Sequence, residues 1–376
     1  MELSARRKSD ALKNRKRTLL LRRYTKEISH TDFLPGGDIR PVLMGLVGEV
    51  GSVLAAGKKL DREGSVFSGY RATIQEELGD TLWYFTRLCE RLNLEIDAVF
   101  SAAAKDGRES GYAHTTRPPH AALLALGGAL SDVLTVRRRR ADNFPLLCAF
   151  ASQYLRVVRA SRLSLEKIAE QNTKKTTGRF LNANFNELPR FDDRFPTEEQ
   201  LPRKFKVVIT QRESGQSYLQ YNGVFVGDPL TDNIGDQDGY RFHDVFHFAY
   251  AAVLNWSPVF RALLKQKRKS NKKYDQEQDG GRAVVVEEGL TAWIFSRAKK
   301  LEFFADQRSL SFDMLKTIEE FVQGYEVEAC PLSLWERAIL QGYQVFRKVH
   351  KNNGGIVYGD LKTRSIRYRP LRLRDK

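Results

Sequence analysis

Cysteine, histidine and methionine are all scarce in this chain of 376 residues, at three, six and three copies. Cys89, Cys148 and Cys330 lie far apart with no CxxC spacing, which argues against a disulfide framework or a cysteine zinc site and fits a reducing cytoplasm. No uninterrupted apolar run approaches the roughly 20 residues of a membrane-spanning helix. Leu19, Leu20 and Leu21 are too few for the core of a signal peptide. No P-loop, Rossmann glycine fingerprint or GxSxG motif occurs. Hydrophobic residues make up 41% and charged residues 29% of the chain, an ordinary globular composition that excludes wholesale disorder and fibrous classes. The length suits two or three domains.

Positive charge is plentiful but unevenly placed. The formal net charge is +16. Residues 1–23 hold nine basic and two acidic side chains, residues 265–273 six basic ones, residues 137–140 four, and residues 364–376 six against one acidic. The rest of the chain is mildly acidic. Such patches suit triphosphates, nucleic acid or an acidic protein partner, and equally the solvated faces of helices.

Two regions differ in pattern. Residues 42–180 read as helices: Leu43, Leu46, Val47, Val50, Val53 and Leu54 make one stripe, and Ile74, Leu78, Leu82, Phe85 and Leu88 a second. A third helix is expected near 94–105, then a linker over 107–119. "LMGLVGEVGSVLAAGKK" at 43–59 returns as "LLALGGALSDVLTVRRR" at 123–139, and "RLNLEIDAVF" at 91–100 as "RLSLEKIAEQ" at 162–171. The offsets of 80 and 71 predict a duplicated unit whose copies pack together. After Arg179 the chain changes character and reads as α+β. A proline-bearing connector at 189–203 leads to strands at 205–210 and 217–227, with Asn222-Gly223 as a turn signal. Helices follow at about 240–255, 258–269, 282–300, 312–324 and 333–350, and "GGIVYGDL" with "RSIRYRP" predicts a terminal strand pair.

Chemistry-bearing residues fall in two clusters. Glu49 lies on the first helix of the repeat; Glu76, Glu77 and Asp80 lie on the second, with Glu77 and Asp80 three apart on one face. Oxygen ligands from facing helices favour Mg²⁺ or Mn²⁺. "GLVGEVGS" followed by "EELGDTLWYF" resembles the MazG-type all-α nucleoside triphosphate pyrophosphohydrolases over residues 40–110, with a degenerate echo over 120–180. The resemblance implies a mainly α fold with tandem MazG-like helical repeats forming a pseudo-dimer. It also implies Mg²⁺-dependent hydrolysis of (d)NTP to (d)NMP and pyrophosphate, and a homo-oligomeric habit. Carried over by position, Glu49, Glu77 and Asp80 are metal ligands, and Glu76 is a further ligand or the base for attacking water. Lys58 and Lys59 become candidates for phosphate contact. The second copy's "IAEQNTKKTTGR" is similar to the family's closing pattern and makes Asn172, Lys175 and Arg179 candidate substrate contacts in one composite site. Ser52 departs from the pattern, standing where the family carries a second glutamate.

The other cluster is "YRFHDVFHFAY" with "VVVEEGLTAW". His243 and His247 are i and i+4 on a helix, and Glu287 and Glu288 follow some 40 residues on. Two such histidines and Glu288 make a candidate three-ligand site for a second divalent metal, with Asp244 where zinc peptidases carry glutamate. Residues 195–370 look similar to the C-terminal extension of some MazG-like proteins, here a mostly helical α+β domain with short strands. "KQKRKSNKKY" reads as a phosphate-binding patch. The domains expected are therefore a basic segment at 1–39, a carboxylate-bearing repeat at 40–110, a degenerate repeat at 120–180 and the C-terminal domain at 195–376. Two other functions compete with the pyrophosphohydrolase. One is a nucleotide-sensing or nucleic-acid-binding regulator with an inactive first domain; the other is a metal-dependent hydrolase acting through His243 and His247. Nucleotide clearance and antiviral defence are the settings that fit.

Overall fold

A computed structural model describes residues 2–106, 120–137, 143–180 and 188–372; the 107–119 linker and Arg138–Arg140 lie outside the described residues, as do the side chains of residues 2–14, 105–106 and 179–180. The chain is mainly α with one small antiparallel sheet, and divides into two units at residue 181.

The first unit is helical: α1 (Glu2–Ile28), α2 (Arg40–Glu63), α3 (Tyr70–Arg91), α4 (Ile96–Asp106), α5 (His120–Val133), α6 (Asn143–Ala160) and α7 (Leu165–Phe180). Pro41 sits in the first turn of α2, where its missing N–H costs nothing, and Gly64 at φ +58° ends the helix. The buried stripe of α2 is Val42, Leu46, Val50 and Val53. Val47, expected inside, is 40% exposed. All five apolar residues expected inside on α3 are buried. The basic N-terminal segment is part of this core, because Leu21, Tyr24 and Ile28 recur at spacings of three and four and are fully buried. Among the described residues α2 is long and apolar enough, by length and composition alone, to cross a membrane. It also carries Glu49, Lys58 and Lys59 and turns one face into the bundle core.

The burial of α2–α4 recurs in α5–α7. Val42, Leu46, Val50 and Val53 correspond to Ala122, Leu126, Leu130 and Val133, an offset of 80. Leu78, Leu82, Phe85 and Leu88 correspond to Leu147, Ala151, Tyr154 and Val157, an offset of 69. Val99 and Phe100 on α4 correspond to Ile168 and Ala169 on α7 at that same offset. The offset of 71 drawn from "RLNLE" and "RLSLE" is thus corrected by two residues. A slip of two rotates a helix by about 200° and would turn its apolar stripe to solvent. At the offset of 69 the position answering to Asn172 is Ala103. Helix contacts follow the same exchange: α2 packs on α3 and α5 on α6, α2 meets α5, α3 meets α7, and α4 meets α6.

The second unit has a five-stranded antiparallel sheet in the order β3-β2-β1-β4-β5, formed by β1 (Lys204–Gln211), β2 (Ser217–Tyr221), β3 (Val224–Leu230), β4 (Gly354–Asp360) and β5 (Ser365–Arg369). Asn222 and Gly223, at φ +50° and +79°, make the tight hairpin turn. The terminal strands do pair, and β4 of that pair also docks on β1. Helices α8 (Asp244–Leu254), α9 (Pro258–Leu264), α10 (Lys272–Glu277), α11 (Gly281–Ala298), α12 (Phe312–Phe321) and α13 (Leu332–Lys351) complete the unit. Every residue of α8 is buried, and it packs against α13 and the sheet.

The connector at 189–203 is pinned rather than loose. Asp192 is fully buried and accepts from Arg261 Nη2 at 2.6 Å, Arg203 Nη1 at 2.6 Å and the Leu201 amide at 2.8 Å. The basic run at 265–273, read as a phosphate patch, is partly structural too. Arg268 is buried and holds Asp279 at 2.7 Å and Glu326 at 2.6 Å. Breaking such a network strands a buried charge. Asp279→Ala should therefore cost about 3–5 kcal/mol of stability, whereas Lys269→Ala, exposed in the same run, should stay within about 0.5 kcal/mol. Urea unfolding of the two variants checks this.

Candidate functional site

Glu49 from α2 and Glu77 and Asp80 from α3 bring one carboxylate oxygen each within 4.8 Å of one another. The spacing of three on α3 and the packing of α2 against it dictate this crowding. The Glu49 carboxyl rises from 4.5 to about 7, first because it is buried and then because Asp80 and Glu77 repel its charge. Lys175 opposes that rise, while a hydrogen bond with Glu77 adds to it.

The cation comes from α7. Lys175 Nζ lies 2.8 Å from Glu76 Oε1 and 2.6 Å from Asp80 Oδ2. Burial pulls the ammonium down, but Asp80 and Glu76 outweigh it and hold Lys175 above its ordinary value. Asn172 Nδ2 donates to Asp80 Oδ1 at 2.8 Å. Its amide orientation is set from the other side, where the buried Tyr24 hydroxyl donates to Asn172 Oδ1 at 2.7 Å. Gly79 makes the approach tight: a Cβ there would sit 3.1 Å from the Cβ of Asn172.

The structure thus joins Glu49, Glu76, Glu77 and Asp80 with Asn172 and Lys175. Glu76 is engaged by Lys175 and lies outside the close set of three carboxylates. Lys58 and Lys59 are not brought there. Both are exposed, roughly 13–15 Å along α2 from Glu49 at 1.5 Å per residue. Lys59 instead approaches Glu63 at 3.9 Å and lies over the Phe67 ring. The Arg179 side chain lies outside the described residues. Tyr24 and Gly79 are members that the sequence reading passed over. The spacing of Leu21, Tyr24 and Ile28 within a basic helix was the available signal for Tyr24.

In the second unit, His243 and His247 converge with Glu288 from α11, and their ligand atoms also lie within 4.8 Å of one another. Glu288 Oε2 is 3.6 Å from His243 Nε2 and 3.5 Å from His247 Nε2. Behind them Glu287 is fully buried. It accepts from His247 Nδ1 at 2.8 Å, the Ser257 hydroxyl at 2.7 Å and the Val259 amide at 2.8 Å. Burial alone would lower His247, but the charge and hydrogen bond of Glu287 lift it to about 10. Burial would raise Glu288, but the two histidines beside it hold it well below the usual carboxylate range.

Among known families, residues 186–372 match the one described as the MazG C-terminal domain. The match begins nine residues before the expected start of that extension. The chain is also similar to the Gene 37 protein of Mycobacterium phage L5, with 38% identity over 85 residues, covering 20% of this chain and 75% of that protein. No solved structure matches.

The raised Glu49 carboxyl has a stability consequence. Folded protein binds this proton up to about pH 7 and unfolded chain only to its ordinary 4.5. The stabilisation present below pH 4.5 should therefore be lost as pH rises through 7 in chelator-treated protein. Glu49→Gln should remove this component and raise the melting temperature at pH 8. Thermal unfolding across pH 5–8 in chelator measures both effects.

Proposed function

Taking the chain as one that belongs among the MazG-related proteins through its second unit, we propose that the first unit is a Mg²⁺- or Mn²⁺-dependent pyrophosphohydrolase. It converts (d)NTP to (d)NMP and pyrophosphate at the Glu49, Glu77 and Asp80 cluster. The observation that carries this reading is the meeting of Asn172 and Lys175 from α7 with the carboxylates of α3. It is what a composite site requires. The matching burial of α2–α4 and α5–α7 supports the duplication behind such a site.

The carboxylates fit a hard divalent cation by their chemistry. Three carboxylates from two facing helices crowd together, and burial with their mutual repulsion lifts the Glu49 carboxyl to about 7. Glu49, Glu77 and Asp80 would hold the ion, which when bound supplies charge neutralisation of the polyphosphate and a water of lowered pKa. Glu76 is the base for the attacking water once Lys175 turns toward phosphate. Lys175 then contributes positive charge to the substrate rather than to the two carboxylates. Asn172, oriented by Tyr24, steadies Asp80. Ser52, one turn from Glu49, can hold a water but adds no charge.

A regulator that binds nucleotides without turnover is the second reading. Ser52 in place of a carboxylate and the ammonium already pairing Glu76 and Asp80 favour it. The basic patches would then serve nucleic acid or an acidic partner.

A panel of NTPs and dNTPs with Mg²⁺ or Mn²⁺, scored for pyrophosphate, separates the two. The enzyme reading expects release that Glu77→Gln and Asp80→Asn abolish with the fold intact. Nucleotide binding with no pyrophosphate from any substrate would sink it in favour of the regulator.

Lys175 and Asn172 should behave differently from each other. Lys175→Ala leaves two carboxylates without their ammonium, so Mg²⁺ should bind more tightly while turnover falls. Asn172→Ala removes a charge-assisted hydrogen bond worth about 1.5–3 kcal/mol, a loss of roughly tenfold or more in kcat/KM. Metal titration and steady-state kinetics on both variants read the split.

A further inference from the structure

We propose that the second unit carries its own divalent transition-metal site, independent of the carboxylate cluster. In it His243, His247 and Glu288 bind Zn²⁺, Glu287 positions His247, and a fourth coordination position stays open. The helical spacing of four puts both imidazoles on one face at the start of α8, and α11 presents Glu288 to them.

Hydrogen bonds fix the tautomers. A backbone carbonyl only accepts, so His243 Nδ1, 2.9 Å from Tyr240 O, carries the proton and leaves Nε2 with a lone pair. Glu287 accepts from a hydroxyl and an amide as well as from His247, so it is ionised and His247 Nδ1 donates to it. His247 Nε2 is then buried with no hydrogen-bond partner, aimed at the same point as His243 Nε2 and Glu288. Two imidazole nitrogens and a carboxylate aimed at one point call for a positive charge among them, which a metal ion or an added imidazole proton can supply.

The distances suit such a cation. A tetrahedral ion with bonds of about 2.0–2.1 Å spaces its ligand atoms about 3.4 Å apart. The two nitrogen-to-carboxylate distances are 3.6 and 3.5 Å. Two imidazoles with one carboxylate select Zn²⁺ and its neighbours over Mg²⁺. A buried carboxylate behind a ligating histidine is the outer partner that fixes ring orientation and raises ligand basicity. The Glu288 side chain is 39% exposed while both histidines are nearly enclosed, so the open position faces solvent on the Glu288 side. A water or a small anionic group would occupy it.

Zn²⁺ titration of chelator-stripped, full-length protein against a chromophoric competitor tests the site. One tight equivalent is expected, retained in Glu77→Gln and weakened at least 100-fold in His243→Ala. Glu288→Gln keeps the volume of a partly exposed side chain, so it decides the matter alone if His243→Ala fails to fold. Glu287→Gln should keep the stoichiometry, lower affinity about 10- to 100-fold and shift the visible spectrum of the Co²⁺-substituted protein. The proposal is overturned if no tight equivalent appears, leaving an imidazolium held between two carboxylates. An equivalent unchanged in both His243→Ala and Glu288→Gln overturns it as well.

Discussion

Like charges forced together in a half-buried place need a cation, and that requirement organises the first unit. Glu49, Glu77 and Asp80 crowd because α2 and α3 bury their apolar stripes against each other, leaving the next face of each helix to meet at its acids. Burial first and then the repulsion of Asp80 and Glu77 lift the Glu49 carboxyl to about 7, a cost that favours a counter-charge at the α2–α3 contact. Lys175 is the answer in the protein by itself. It arrives on α7, held in place by the close approach of Asn172 to Gly79 and by Tyr24 from α1. Four helices far apart in sequence therefore meet over one electrostatic problem.

The helices, the two apolar stripes and the acidic faces were legible in the sequence because periodicity of 3.6 residues reports burial directly. Register between the two helical halves was less so. "RLNLE" and "RLSLE" match in letters but straddle helix ends, where Leu92 belongs to the end of α3 and Leu94 to the turn before α4. Identity at a turn constrains burial weakly. Burial in a helix interior constrains it within one residue, as Leu78 with Leu147 and Phe85 with Tyr154 illustrate. Lys58 and Lys59 misled for a related reason: closeness in sequence to Glu49 becomes separation along a straight helix.

Contacts made by tertiary approach left little trace. Tyr24 sits in a segment whose charge dominates its pattern, and its role depends on α7 arriving beside it. Arg268 is one cation among six in its run, and only the positions of Asp279 and Glu326 turn it inward. Composition marks the run as basic without saying which residue is committed to the core. The strand pair at the C-terminus was visible as a pair, whereas its docking on β1 depends on register with Phe205 and Val207, which no local signal encodes.

The two clusters solve charge crowding with different donors, and the difference has a consequence for which ion each accepts. In the first unit every candidate ligand is an oxygen, and the counter-charge is the Lys175 ammonium, held by Glu76 and Asp80. In the second, the nitrogen donors are locked by Tyr240 and by a buried carboxylate that is itself held by Ser257 and Val259. A locked set with fixed lone pairs suits an ion that stays, since preorganised ligands lose little freedom on binding. The donors thus differ in kind: oxygen alone in the helical bundle, which would suit a hard cation, and nitrogen with oxygen in the α+β unit, which would suit a softer one.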